Sequence, residues 1–162
     1  MRIAALIILG GLLACGADKT ISDGKRSAET PLTSQNPGVG SFRVELEKRY
    51  GFCLGDCTFK LSVGEDGAAV AEVVNKDGQS RTRPFTLTAA ELESVRTGVS
   101  TALTKPWEPR YGCPDCADQG AWTLNLTSGS NKRSSVVDPQ DKPTHLAPLL
   151  DTLDALENAN RP

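Results

Sequence analysis

Aromatic residues make up only 5% of this 162-residue chain, and histidine occurs once. Each scarcity removes a class of function. With few rings there is no stacking platform for bases, and 18 basic against 20 acidic side chains leave no basic stripe for phosphates. Nucleic acid is therefore not an expected partner. A lone histidine, His145, cannot build the ligand set of a typical zinc hydrolase, and no Ser or Cys arrangement accompanies it in sequence. It reads as a helix-end or surface residue. No glycine-rich phosphate loop, nucleophile elbow or internal repeat occurs, so no catalytic residue, metal site or cofactor is expected. No apolar run reaches the roughly 20 residues of a membrane-crossing helix.

What is present begins at the N-terminus. Arg2 supplies a positive end, Ile3 to Leu9 an apolar stretch, and Gly10, Gly11 and Ala14 small residues near a cleavage point. These are the three parts of a secretory signal. The tetrapeptide Leu12-Leu13-Ala14-Cys15 resembles the lipobox of bacterial lipoproteins. The resemblance implies cleavage after Ala14 and acylation of Cys15, whose thiol receives a diacylglycerol and becomes the membrane anchor. An ordinary secretory signal ends in an A-x-A-like site, and Leu12 stands in the place of its first alanine. Gly16 rather than aspartate follows the cysteine. By analogy with enterobacterial sorting, that points to the outer membrane, on its periplasmic face or at the cell surface. Losing Arg2 takes the 18 basic side chains to 17 against 20 acidic ones, a formal charge of −3 for the mature chain.

Residues 16–40 are built from Gly, Ser, Thr, Pro, Asp, Lys, Asn and Gln, with Ile21, Leu32 and Val39 as the sizeable apolar side chains. Such a segment cannot bury enough to offset its conformational entropy, and it reads as a tether running from Cys15 to residue 40. As a coil of 25 residues it has an r.m.s. span of roughly 25 to 30 Å.

From residue 41 to 162 the pattern becomes that of one domain of about 120 residues. Phe42, Val44 and Leu46 alternate with charged residues, as do Phe59, Leu61 and Val63 with polar ones. Both runs predict half-buried strands. Glu65-Asp66-Gly67 and Lys76-Asp77-Gly78 are turns on either side of a third strand, Ala69 to Val74, and a fourth runs around Arg81 to Thr86. Thr88 and Glu91 form a capping box ahead of Leu92, Val95, Val99 and Leu103, so a helix is expected from Thr88 towards Pro106. Ala121 to Thr127 and Arg133 to Val137 read as a hairpin around Ser128-Gly129-Ser130-Asn131. Thr144 to Asn158 reads as a closing helix with a leucine stripe. The expected fold is α+β, an antiparallel sheet with element order ββββαββα and two helices on one face.

Four cysteines remain after Cys15, in two close pairs, Cys53 with Cys57 and Cys113 with Cys116. An even count suits full oxidation outside the cytoplasm, and of the three pairings the two local disulfides are favoured because each closes without any assumption about the fold. Two chemical alternatives compete. Four thiolates could hold zinc, although an oxidising compartment removes them. Cys113-Pro114-Asp115-Cys116 resembles the C-P-x-C site of glutaredoxin-like proteins, which places its first thiolate at a helix N-terminus, whereas here a strand pattern follows. Asp115, Asp118 and Gly120 hint at a cation loop, but calcium needs six or more oxygens. Trp107, Tyr111 and Trp122 flank the second pair as a candidate sugar or peptide platform, or as core filling around a disulfide.

Cys53, Gly55 and Cys57 also resemble the C-F-G-x-C-P-x-Y motif of an uncharacterised domain family of exported proteins and lipoproteins, with Leu54, Thr58 and Lys60 at its aromatic, proline and tyrosine positions. That family carries no activity to transfer, and the resemblance implies the same domain boundary and α+β order. The expected function is a membrane-tethered envelope lipoprotein, not an enzyme, whose domain binds or supports an envelope protein or glycan. The alternative is thiol–disulfide exchange or zinc binding at the cysteine pairs.

Overall fold

A computed structural model describes residues 41–114, 116 and 120–162, which fall within a unit spanning Gln35–Pro162. The signal, Cys15, the tether, Asp115 and Asp118 lie outside the described residues.

Period-two alternation decides the first half of the domain. In β1 (Phe42–Arg49), Phe42, Val44, Leu46 and Lys48 are buried while the residues between them face outward. The strands β2 (Asp56–Gly64) and β3 (Ala68–Asn75) continue the same inward face through Phe59, Leu61, Val63, Ala69, Ala71 and Val73. Register keeps these side chains opposite one another: Leu46 lies across from Leu61, and Leu61 across from Ala71. Gly67 and Gly78 take positive φ at the two expected turns, a conformation that costs glycine little. β4 (Ser80–Thr86) is an exposed edge.

The helix α1 (Ala89–Ala102) starts where its cap predicts. The Thr88 hydroxyl accepts from the Glu91 amide, and the Glu91 carboxylate accepts from the Thr88 amide at 2.7 Å. That backbone hydrogen bond, and then the one from the Thr88 hydroxyl, hold the Glu91 carboxyl below its usual pKa. The helix stops short of Pro106, and Trp107 Nε1 donates to the otherwise open Ala102 carbonyl at 2.8 Å.

Two boundaries differ from expectation. Between α1 and β6 (Ala121–Ser128) lies β5 (Arg110–Tyr111), a two-residue strand pairing in parallel with β7 (Asn131–Val137). The order is therefore ββββαβββα, with seven strands arranged β4-β3-β2-β1-β6-β7-β5, rather than ββββαββα. No alternation announces so short a strand; tertiary pairing alone makes it. The second difference is α2, which runs Ala147–Ala159 rather than from Thr144. Leu146 and Ala147 both donate to the Pro143 carbonyl, so residues 144–146 form a turn, and Pro148 sits in the first turn of the helix, where a missing N–H costs nothing.

Both helices bury their stripes against the same sheet face. Val95, Val99 and Ala102 of α1 join Leu149, Leu150, Leu153 and Leu156 of α2 over Val44, Leu46, Leu61, Leu124 and Leu126. Each fully buried leucine or valine contributes roughly 1.5 to 3 kcal/mol. Among the described residues this core runs from Phe42 to Leu156. Gly98 sets the approach of the helices: a Cβ there would lie 2.9 Å from the Leu149 Cα. The opposite sheet face is polar, with Arg43, Glu45, Glu47, Arg49, Lys60 and Glu72 in successive ion pairs.

Candidate functional site

The ladder brings both cysteine pairs to one end of the sheet. β1 ends at Arg49 and β2 begins at Asp56, so residues 50–55 form the hairpin tip, closed by the Cys53–Cys57 disulfide with its Cα atoms 5.4 Å apart. The Tyr50 amide donates to the Cys57 carbonyl at 3.0 Å, and the Lys76 amide donates to the Gly55 carbonyl at 2.9 Å. The tip is thus held from both sides. Lys48, at the same end of β1, lies opposite Trp122 at the start of β6, and Trp122 lies opposite Val137, which pairs with Tyr111. The loop after Tyr111 holds the Cys113–Cys116 disulfide, also with a Cα separation of 5.4 Å. The Cys113 amide donates to the Asp138 carboxylate at 3.3 Å. Gly120 joins the two loops, since a Cβ there would stand 2.2 Å from the Arg49 carbonyl oxygen and 3.0 Å from the Tyr50 ring.

At the tip, Phe52 is 87% and Leu54 98% exposed. Two large apolar side chains fully in water, one on each side of Cys53, are the pronounced surface anomaly of this domain. The core-filling reading concerns Trp107, Tyr111 and Trp122, and Phe52 has no role assigned to it from the sequence. A six-residue tip closed by a disulfide is too short to fold back and cover its own side chains, and that is the signal the sequence offers.

Behind the tip lies an ionic cluster that sequence reasoning also missed. Lys48 and Glu157 are each 1% exposed and paired, and Lys48 Nζ stands 2.6 Å from Asp154 Oδ1. Arg161 donates to Glu157 through Nε at 2.8 Å and lies 4.1 Å over the Phe59 ring. The hydrogen bond to Glu157 raises the Arg161 pKa above its ordinary value, against the opposing effect of burial. Lys48 also faces the Trp122 ring at 5.5 Å, with Lys142 at 4.8 Å from the same ring. The readable sign was parity: Lys48 occupies the inward phase set by Phe42, Val44 and Leu46. Lys48 and Arg161 against Asp154 and Glu157 balance in formal charge, with Lys142 paired separately to Asp151, and the hydrogen-bonded cluster clamps the end of α2 to the sheet.

The three flanking aromatics are brought near the core rather than into a row. Trp122 is buried, and Trp107 and Tyr111 pack against the core from its edge. Tyr111 accepts from the Glu108 amide at 2.8 Å and meets His145 edge-on, ring centroids 5.9 Å apart. His145 is buried at 9% exposure in the turn before α2, not on the surface. Burial first, then Lys105 and Arg133, push its pKa below the usual histidine value.

Comparison with known proteins adds no identity: no family model matches the chain, and no curated protein matches it. Among the described residues, no helix is long and apolar enough to cross a membrane, and no group of three or more His, Cys, Asp or Glu side chains could hold a metal ion. What the arrangement can do chemically is therefore read from the tip. A stapled hairpin presents two apolar side chains, backed by a clamped and neutral base.

Proposed function

We propose that this protein is a membrane-tethered lipoprotein of a bacterial cell envelope, and that its domain is a non-catalytic binding or structural module. The reading is carried by the closure of all four domain cysteines into two local disulfides. With five cysteines in the chain, Cys15 is the odd one, and it stands in Leu12-Leu13-Ala14-Cys15. Disulfides persist outside the cytoplasm, and a closed pair offers no thiolate to zinc. Among the described residues the next element after Cys116 is β6, not a helix, so no described helix N-terminus faces the Cys113 sulfur to activate a redox thiol. Diacylglycerol on Cys15 is the anchor, Gly16 favours the outer membrane, and an envelope protein or glycan is the class of partner.

Metabolic labelling with a palmitate analogue, followed by envelope fractionation, tests the reading. Label in the membrane fraction that disappears in Cys15→Ser supports it. An unlabelled protein cleaved elsewhere and recovered in the soluble fraction overturns it. Rapid glutathione-driven cycling of Cys113 and Cys116 overturns the non-catalytic part in favour of thiol–disulfide exchange.

A further inference from the structure

We infer that the Cys53–Cys57 hairpin tip is a second membrane contact, docking Phe52 and Leu54 into the interface of the bilayer that holds the lipid. This inference rests on the lipoprotein reading. Three observations select a lipid surface as the occupant.

The first is shape. Phe52 and Leu54 stand on a convex tip, and the described surface hollows lie elsewhere, lined by Arg43, Val70 and Pro84 on the open sheet face or by Asn125, Lys132 and Ser134 near β7. A projecting apolar knob needs a medium that yields around it. The bilayer interface does so, and an aromatic ring is favoured there.

The second is charge. Around the tip Arg81 is paired with Asp56 at 2.8 Å, Lys76 with Asp77 at 2.8 Å, and Arg49 with Glu47. These three pairs are neutral as pairs, so among the described residues they bring no net charge towards the hydrocarbon. Binding then depends on apolar burial rather than on anionic lipid.

The third is reach. The domain enters β1 at Phe42 and arrives at the tip after Arg49, a strand of 8 residues. At about 3.3 Å per residue, the tip lies roughly 26 Å from the point where the preceding chain joins. The 25 residues 16–40 can reach at most about 3.3 to 3.6 Å each, which exceeds that distance, so the chain between Cys15 and the domain is long enough for the anchor and the tip to share one membrane. The disulfide lowers the ordering cost, because the tip is already fixed before it docks.

The test uses residues 15–162 carrying Phe52→Trp, with Cys15 coupled in vitro to a maleimide phospholipid. Coupling makes the outcome independent of whether the cell acylates Cys15, so the tip and the lipoprotein reading fail separately. The parent protein, with only Trp107 and Trp122, is the blank. On phosphatidylethanolamine–phosphatidylglycerol vesicles the introduced indole is expected to shift to the blue and to be quenched by bromine-labelled acyl chains. Adding Leu54→Ser should lower the ratio of docked to undocked tip about tenfold or more, the effect of losing one buried leucine. An indole that stays water-exposed and quenched by iodide overturns the proposal. So does quenching unchanged by Leu54→Ser. A blue shift that appears without vesicles and grows with protein concentration also overturns it, since the occupant is then another protein surface.

Discussion

Replacing Lys48 by methionine isolates the energetics of the cluster under α2. Methionine keeps much of the lysine stem's volume against Phe59 and Trp122 but removes the cation that faces Glu157 and Asp154. Asp154 is 32% exposed and can hydrate, whereas Glu157 at 1% cannot. Breaking a buried pair by deleting one partner costs about 3 to 5 kcal/mol. Because Arg161 still donates to Glu157, the lower end applies, about 3 kcal/mol. For a domain of this size each kcal/mol moves Tm by about 3 to 5 °C, so a loss of about 10 to 15 °C is expected by circular dichroism. Lys48→Met combined with Glu157→Leu removes the stranded carboxylate and should recover to within about 1 kcal/mol of the parent. Urea unfolding at constant m gives the coupling, expected at about 2 to 3 kcal/mol. A single variant within 1 kcal/mol of the parent, or a double variant whose loss is the sum of the singles, refutes the account.

Other substitutions test other links. Thr88→Ala removes the hydroxyl half of the capping box while keeping the backbone amide that donates to Glu91, and should cost about 1 kcal/mol in urea unfolding. Gly98→Val forces side-chain atoms into the Leu149 backbone and should cost about 2 to 3 kcal/mol, with reduced helix content if α2 detaches. Cys53→Ser with Cys57→Ser opens a loop of about five residues, and loop-closure entropy sets the loss near 2 kcal/mol. His145 has a lowered pKa in the fold, so in acid the unfolded chain takes up its proton first. Stability from this group is therefore complete above about pH 6.5 and declines as pH falls through the folded value. His145→Phe should flatten the Tm profile below about pH 6.5, and an unchanged profile contradicts the assigned environment.

How far the sequence carries the fold depends on how many residues vote for each element. Phe42, Val44 and Leu46 fix the phase of β1, and Thr88 with Glu91 fixes the first residue of α1; both are legible because several local preferences coincide. Arg110–Tyr111 is not, since two residues have no period and their strand exists only by pairing with Val136 and Val137. The start of α2 is blurred for a related reason. Leu146 belongs to the apolar stripe by spacing and to the core by burial, but its backbone is committed to a turn closed on Pro143. The site was half legible. The local cysteine pairing follows from spacing, whereas the exposure of Phe52 and Leu54 depends on how tightly the hairpin is closed.

Where the local rules fail is itself informative. Exposed Phe52 and Leu54, buried Lys48 and Glu157, and Gly120 at positive φ against the Arg49 carbonyl all lie at the end of the sheet that holds both disulfides. At the other end the Asp66-Gly67 turn and the Ser128–Asn131 turn obey ordinary turn chemistry. A sequence shaped only by folding would bury the two apolar side chains and replace the buried ion pair with leucine or methionine, which pack as well without desolvating charge. Keeping a neutral ionic clamp directly beneath a stapled apolar tip has a different logic. The clamp fixes the last helix against β1, from whose end the tip projects, so on the docking proposal the base of the tip stays ordered only while Lys48 holds Glu157. Loss of the clamp should then weaken tip docking even where the domain remains folded, an effect that stability alone does not produce.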